Sequence, residues 1–530
     1  MLFTTSNFII FVILLSIIYY IIPKKMQWQL LLIASYMFYA FAGIQFIVYI
    51  LITTITTYFA TINISKLQTK YNKYIKENKA IVTREERRAI KETSKKKQRQ
   101  WMVLCMVFNF GILAVLKYSN FAIENFNKIL GLFNSETSFK GLGFILPLGI
   151  SFYTFQTMGY LIDVYRGKYD YEKNIFKLAL FVSFFPQLIQ GPISRFDDLK
   201  DSLFSKHNFN WDNINFGFQR ILWGYFKKVV IADRLLIAVN NIIQNPDIYQ
   251  GVYVIIGMFF YAIELFADFS GGIDIAIGIA EVLGIHLEEN FIRPYFSKSI
   301  TEYWRRWHIT LGTWFKDYMF FPISVSKPML KLSKTCRKNF NDAIGKRIPV
   351  YVATIIVWLT TGIWHGAAWN FVVWGLGNCI VILISQECIP LYQKFHHRFD
   401  VKNKFYFRLF QVVRTFWLMS FLRTFDCYRD VGTTFKMYGS IFTVYNINEI
   451  FNGGLMQLGL TIKDYILLFV SVWIVLLVSL LQRKEGIRIK IAAKPIMISY
   501  MIFFILFLGI IVFGAYGVGF DQSQFIYSQF

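Results

Sequence analysis

The chain has 530 residues, of which 55% are hydrophobic, 19% are aromatic and only 17% are charged, and its formal net charge is +24. Because a soluble domain carries about 25% charged residues, this composition excludes an ordinary soluble protein and predicts an all-α protein that crosses the lipid bilayer many times. The positive charge does not indicate a nucleic-acid partner, since the basic residues concentrate in short connections between apolar runs, as the positive-inside rule produces.

The apolar runs predict about eleven to thirteen transmembrane helices. The first run, 7–22, follows a segment without positive charge and precedes Lys24 and Lys25. A cleavable signal peptide needs a basic start and a small-residue cleavage site, so we expect instead a first helix with an extracytoplasmic N-terminus. Two further crossings lead to the basic loop 66–100, which we expect to be cytoplasmic and partly helical on the membrane surface.

Two middle segments, 145–192 and 295–322, are too polar or too often interrupted by proline to cross a membrane as regular helices. Charged or irregular backbone at membrane depth persists only when it is buried in protein or lines a water-filled cavity. We therefore expect re-entrant or tilted helices around a central tunnel. The last helix begins near Ile496, after the basic connection 483–494, so residues 521–530 are expected to be extracytoplasmic.

Two histidines framed by tryptophans are the main candidates for chemistry. His308 follows the run Trp304-Arg305-Arg306-Trp307, and His365 lies between Trp364 and Gly366. A histidine at membrane depth is costly, and its ordinary pKa of about 6.5 suits proton transfer near neutral pH. The alternative is a buried histidine that only satisfies hydrogen bonds. The remaining histidines are expected to be bystanders: His207, His286, His396 and His397.

Five sequence blocks resemble the membrane-bound O-acyltransferase family. They are 146–156, 185–193, 267–271, 290–308 and 364–366. Within this family the chain looks like the bacterial alginate O-acetyltransferase branch. The resemblance implies a membrane core over residues 1–425, additional C-terminal membrane helices over 426–520 and an extracytoplasmic aromatic tail over 521–530.

The resemblance implies an enzyme of the cell membrane that passes an acetyl group from a cytoplasmic donor, acetyl-CoA or an acyl carrier, to an exported or cell-envelope polysaccharide. Polysaccharide biosynthesis proteins are the implied partners. The alternative within the family is D-alanyl transfer toward teichoic acid. The alternative outside it is a polysaccharide or lipid transporter, against which the absence of an evident internal repeat argues.

The same resemblance assigns roles to individual residues. His365 is the implied general base, and His308 is a second essential polar group at the site. Independently of the resemblance, Arg305 and Arg306 are candidate contacts for the donor, because a guanidinium suits phosphate geometry. Salt bridges to Glu302 or Asp317, or contacts with lipid headgroups, are the alternative for these two arginines.

Two departures from the branch bear on the acceptor rather than on the histidines. Residues 322–325 read Pro-Ile-Ser-Val where branch members usually have Pro-Leu-Gly-Gly, and Asn378 lies near a position where many relatives have a further histidine. Both departures leave the acyl-transfer chemistry implied by the resemblance intact.

The C-terminal residues Phe525-Ile526-Tyr527-Ser528-Gln529-Phe530 resemble the Phe-x-Tyr-x-x-Phe ending of this branch. The resemblance implies that Tyr527 carries the acyl group to an extracytoplasmic, esterase-like partner protein. A phenol, with a pKa of about 10, is easier to deprotonate than an alcohol, and its ester stays activated for onward transfer. The alternative is an aromatic tail that packs at the membrane interface.

No metal, no tightly bound cofactor and no disulfide are expected. The five cysteines show no CxxC spacing, and neither an HExxH motif nor a GxSxG motif is present. Three carboxylates within apolar segments, Asp163, Asp268 and Asp274, are expected to cap helices or pair with cations rather than to do chemistry.

Overall fold

The computed structural model describes residues 3–133, 137–483 and 486–516. Over these ranges the chain is predominantly helical and forms no β-strand, and Phe291 and Trp307 make an isolated antiparallel bridge. The predicted all-α class is confirmed.

One compact unit comprises Met1–Ile214 and Ile279–Leu287. Its interior includes α5, in which the side chains from Ile150 to Val164 are all buried. Its helices are α1 (Ser6–Ile21), α2 (Gln27–Ala40), α3 (Ile47–Glu77), α4 (Arg84–Leu132), α5 (Ile150–Arg166), α6 (Ile175–Ser183), α7 (Phe185–Leu188) and α8 (Phe196–Phe204).

The other compact unit comprises Asn215–Gly278 and Glu288–Phe530. The helices from α9 onward are α9 (Trp211–Tyr225), α10 (Asp233–Gln244), α11 (Val252–Val282), α12 (Ile300–Trp304), α13 (Ile309–Phe315), α14 (Phe321–Ser324), α15 (Lys327–Asn339), α16 (Asp342–His365), α17 (Trp369–Glu387), α18 (Ile389–Arg398), α19 (Phe405–Tyr428), α20 (Val431–Thr443), α21 (Asn448–Phe451), α22 (Ile462–Leu481), α23 (Ile487–Ala492) and α24 (Ile496–Phe513). The predicted boundary near residue 425, which came from the extent of the resemblance, stays a prediction.

Seven helices in the described ranges are long and apolar enough to cross a membrane, and the chain is a multi-pass membrane protein. A shorter apolar helix covers Ser6–Ile21. The predicted eleven to thirteen crossings therefore require that shorter or more polar helices cross as well. The seven are Ile44–Glu77, Arg84–Leu132, Val252–Val282, Asp342–His365, Trp369–Glu387, Ile462–Leu481 and Ile496–Phe513.

The basic segment 66–100 is helical over most of its length. Helix α3 continues to Glu77 and α4 begins at Arg84, so the segment is the end of one helix, a short turn and the start of the next. Thr83 caps α4: its hydroxyl accepts from Glu86 N at 3.3 Å, and the Glu86 carboxylate accepts from Thr83 N at 2.9 Å. This reciprocal cap satisfies two backbone donors that would otherwise lack a partner.

The predicted irregular segment 295–322 is a series of short elements. Helices α12 and α13 have five and seven residues, and a π-helical turn, Lys316–Phe320, separates α13 from α14. Such breaks free backbone groups and place side chains at helix ends, which is how the segment presents His308.

Candidate active site

His365 is the last residue of α16 and is only 4% exposed. Its ring lies among aromatic side chains, with ring centroids 4.6 Å from Trp374 and 5.1 Å from Trp364, and it stacks on Phe371 at 6.5 Å. These neighbours exclude water and restrict the orientation of the imidazole.

Gly366 holds the backbone close to the rings around His365. A Cβ atom at this position would lie 2.1 Å from Cε2 of Phe371, so every other residue type must displace that ring. A second close approach joins α16 to α17, where a Cβ on Gly375 would lie 2.5 Å from the Trp358 carbonyl oxygen. The glycine after the histidine therefore has a packing role.

His308 occupies a turn that its flanking backbone holds in place. It caps α13 with a φ of 48°, in the left-handed region that side chains other than glycine rarely adopt. On either side, Ile292 N donates to Arg306 O at 3.0 Å and Ile309 N donates to Asn290 O at 3.1 Å. A strained residue retained by its surroundings is typical of functional sites.

Asn290 determines which nitrogen of His308 carries the proton. The Asn290 Oδ1 atom lies 3.3 Å from His308 Nδ1 and also accepts from Thr310 N and Thr310 Oγ1, each at 3.0 Å. An amide oxygen only accepts hydrogen bonds, so His308 Nδ1 is the donor and Nε2 keeps its lone pair. Burial first, and then the positive charge of Arg423, lower the pKa of His308 to about 3. The imidazole is therefore neutral near pH 7.

The two histidines, far apart in sequence, share one neighbour. The Trp364 ring centroid lies 6.1 Å from that of His308 and 5.1 Å from that of His365. Phe269, within the block 267–271, packs edge-on against His308 at 4.9 Å. Three of the five family-like blocks thus meet around these two imidazoles.

Arg423 and Asp426 form a buried ion pair beside the histidines that sequence reasoning missed. Arg423 Nη1 donates to Asp426 Oδ2 at 2.8 Å, and both side chains are 4% exposed. The guanidinium lies 5.0–5.4 Å from the ring centroids of Trp304, Trp307 and Trp374. It therefore supports rings that contact both site segments. An Arg and an Asp three residues apart in the apolar run of α19 were the available signal.

Asparagines connect the same region. Asn370 Nδ2 donates to Phe425 O at 3.0 Å, and Trp304 Nε1 donates to Asn378 Oδ1 at 3.1 Å. Asn378, noted as a departure from the branch, thus orients a tryptophan of the Trp304–His308 run. The bonds link α17 to α12 and α19.

The two arginines next to His308 differ in their surroundings. Arg306 forms an ion pair with Glu302 at 2.6 Å, the salt bridge considered as the alternative from sequence. Arg305 is exposed, and no ion pair to it occurs in the described ranges. Contacts of either side chain with a donor stay a prediction.

The predicted pairing of the buried carboxylates is confirmed. Asp268 accepts from Lys228 at 2.6 Å, and Asp274 accepts from Lys227 at 2.5 Å. In the other unit, Asp163 lies 3.9 Å from Lys168, close enough for an ion pair.

Three further predictions concern metals, cysteines and the tail. Among the described residues, no group of three or more His, Cys, Asp or Glu side chains is arranged to hold a metal ion. All five cysteines are free thiols. Tyr527 and the aromatic tail lie outside the described residues.

Comparison with known proteins identifies relatives that are all acyltransferases. The model of the membrane-bound O-acyltransferase family matches residues 170–336. A probable alginate O-acetylase of Azotobacter vinelandii is 33% identical over 376 residues, which cover 71% of this chain and 66% of that protein. A peptidoglycan O-acetyltransferase of Helicobacter pylori is 31% identical over 392 residues, which cover 69% and 66%.

A more distant relative is a teichoic acid D-alanyltransferase of Bacillus subtilis. It is 27% identical over 259 residues, which cover 48% of this chain and 61% of that protein. The chain thus spans just under two thirds of the length of these three relatives.

Proposed function

This chain belongs to the membrane-bound O-acyltransferase family, and from that premise we propose that it is an O-acetyltransferase of the cell membrane. It passes an acetyl group from a cytoplasmic thioester donor, acetyl-CoA or an acyl carrier, for O-acetylation of an exported or cell-envelope polysaccharide. Both termini are extracytoplasmic in this proposal.

The observation that carries the proposal is the meeting of two buried histidines around Trp364. Acyl transfer to a hydroxyl needs a base that accepts the hydroxyl proton, in a site from which water is excluded so that the thioester is not hydrolysed. An imidazole enclosed by tryptophans meets both requirements. The aromatic cluster around His308 and His365 supports this chemistry better than it supports a hydrated transport path.

In the proposed reaction His365 is the general base. The acceptor oxygen attacks the thioester carbonyl carbon while His365 takes the hydroxyl proton, and a tetrahedral oxyanion forms. The oxyanion collapses, the carbon–sulfur bond breaks, and the proton passes from the imidazolium to the departing thiolate. The products are an ester and a thiol, so the base is regenerated.

His308 is proposed to position a reactant. Its Nδ1 donates to Asn290, so Nε2 accepts a hydrogen bond from a hydroxyl or amide of the donor or acceptor. Arg305 is the more suitable of the two arginines for a donor phosphate, because Arg306 is already paired with Glu302.

Tyr527 is proposed as the first acceptor. Its phenol oxygen would take the acetyl group, and an esterase-like extracytoplasmic protein would then receive it from the tyrosine ester for transfer to the polysaccharide. The proposal rests on the sequence of the tail and on the activation of an aryl ester toward a second nucleophile.

D-alanyl transfer toward teichoic acid is the second candidate. The relative with that name matches less of the chain, 48% against 71% for the alginate O-acetylase. Because the base and thioester chemistry are the same, the two functions differ in the acyl group delivered rather than in the roles of His308 and His365.

Identification of the ester in the cell envelope tests the proposal. The gene is deleted, and the wild type, His308→Ala and, as an exposed control, His397→Ala are returned to the strain. We expect the acetyl ester content of the polysaccharide to be lost on deletion, restored by the wild type and His397→Ala, and low with His308→Ala. Loss of D-alanyl esters instead would establish the second candidate, and unchanged esters of both kinds would refute acyl transfer.

A further inference from the structure

An apolar cavity, partly open to its surroundings, lies between α11, the turn Pro294–Phe296 and α22. Its wall is formed mainly by aliphatic and aromatic side chains, among them Ile263, Phe266, Val472, Val475 and Leu476. Two cationic side chains, Lys227 and Arg293, also line it. A cavity with a mainly apolar wall and a few cationic side chains suits an amphiphilic ligand better than a soluble anion.

The charge of Lys227 is compensated within the protein. Its Nζ atom donates to Asp274 Oδ2 at 2.5 Å and to Ser270 Oγ at 2.7 Å. Lys227 therefore contributes little net charge to the cavity.

Arg293 is different. No acidic partner of Arg293 occurs in the described ranges, and its Nε atom is buried without a hydrogen-bond partner. Burial, and then the positive charges of Arg306 and Arg483, lower the pKa of Arg293. A buried guanidinium donor without an acceptor favours a ligand that supplies anionic oxygen atoms.

The side chain of Arg293 is held in place. The residue has a φ of 51°, in the left-handed region, and is followed by Pro294. Its carbonyl oxygen accepts from Arg306 Nη1 at 3.4 Å, and its guanidinium lies 4.6 Å from the Phe296 ring centroid. A strained backbone and a stacked guanidinium indicate a preformed site rather than a side chain that moves freely.

We propose that this cavity is a binding site for an anionic phospholipid, with one acyl chain along the α22 wall and the headgroup phosphate at Arg293. The apolar wall supplies a surface against which a hydrocarbon chain can pack by van der Waals contact. Arg483 follows the C-terminal end of α22 and adds a second positive charge near the headgroup. Phe266 of the cavity wall also contacts Trp307, with ring centroids 6.3 Å apart, so the cavity adjoins the aromatic cluster of the candidate active site. The lipid proposal does not require acyl-transfer activity.

Native mass spectrometry of the purified full chain tests this site with defined lipids. Phosphatidylglycerol and phosphatidylcholine with identical chains are compared on the wild type, Arg293→Gln and Arg293→Lys. We expect the wild type to retain phosphatidylglycerol about fivefold better than phosphatidylcholine, the factor that one arginine contributes near an anionic lipid. Arg293→Gln should abolish this preference and Arg293→Lys should keep most of it.

Arg398→Gln is the matched control, because Arg398 is an exposed arginine that stacks on Phe399 at 5.7 Å and does not line the cavity. It should keep the preference. A preference that persists in Arg293→Gln, or equal retention of both lipids by the wild type, overturns the proposal. Competition by soluble glycerophosphoglycerol as effective as that of the intact lipid also overturns it, since the site would then bind only the anion.

A second variant tests the acyl chain. Val475→Trp fills part of the cavity wall without touching Arg293, and we expect it to lower retention of phosphatidylglycerol several-fold. Undiminished retention of phosphatidylglycerol by Val475→Trp would overturn the placement of the acyl chain. If Arg293→Gln cannot be recovered as monodisperse protein, the result with Val475→Trp decides whether the lipid binds in this cavity.

Discussion

Replacing Asn290 by aspartate should convert His308 from a neutral imidazole into one that titrates near pH 6. The substitution keeps the size of the side chain and puts a negative charge where Oδ1 accepts from His308 Nδ1 at 3.3 Å and from both donors of Thr310 at 3.0 Å. With three donors around it, the new carboxylate is stabilised in its charged form despite burial.

The size of the effect follows from Coulomb's law. Opposite unit charges roughly 4 Å apart interact by about 4 kcal/mol at an effective dielectric constant of about 20, which is about 3 pKa units. The wild-type pKa of His308 is lowered to about 3, so the pKa of the variant imidazole is expected to be about 6. Below that pH the variant imidazole is protonated at Nε2 and no longer accepts a hydrogen bond there, and activity falls.

The assay measures the rate of acetyl transfer from the thioester by purified enzyme between about pH 5 and 8. The pH dependence of this rate reveals the changed pKa of His308. We expect the wild type to show no acid limb from His308 in this range and Asn290→Asp to lose activity as the pH falls through ~6. Asn378→Asp is the control, because it adds a carboxylate at a buried asparagine that bonds Trp304 instead of a histidine. Identical pH profiles of wild type and Asn290→Asp would refute the assigned tautomer and neutral state.

Three further predictions follow from the packing and the tail. Arg423→Met should destabilise the protein by about 3–5 kcal/mol in mixed-micelle unfolding, because Asp426 stays buried without its partner. Adding Asp426→Asn should recover part of this loss of stability. A cost under ~1 kcal/mol for Arg423→Met would contradict the buried pair. Gly366→Ala should lower the rate of acyl transfer about tenfold by displacing Phe371 from His365. Adding Phe371→Leu should partly restore the rate. Full activity of Gly366→Ala alone would contradict the close contact. Tyr527→Phe should abolish polysaccharide acetylation while membrane insertion persists, and undiminished acetylation would leave only the anchoring role.

The sequence predicted the all-α membrane class and singled out His308 and His365 as candidates, because both inferences depend on strong local signals. Low charge and long apolar runs require membrane helices, and histidines between tryptophans are rare enough at that depth to be recognised. The burial of His308 and His365 agrees with the same patterns. Their meeting around Trp364 was implied by the family resemblance rather than by any spacing.

The features that sequence reasoning missed depend on tertiary contacts. The bond from His308 to Asn290 exists because a left-handed turn brings 290–292 beside 306–309, and no periodicity encodes such a turn. Arg423 lies in an apolar run of α19. Its importance becomes clear only from the three tryptophans of other segments that surround it. The number of crossings stayed uncertain because short helices carry a weak hydropathy signal.

The central claim is that His365 deprotonates the hydroxyl that receives the acetyl group. The most direct measurement follows labelled acetyl from the thioester donor to an ester on the enzyme or on the polysaccharide, comparing wild type, His365→Gln and the exposed control His397→Gln in equal amounts of inserted protein. We predict ester formation by the wild type and the control and none by His365→Gln, since an amide cannot take the proton. Ester formation at the wild-type rate by His365→Gln would contradict the account.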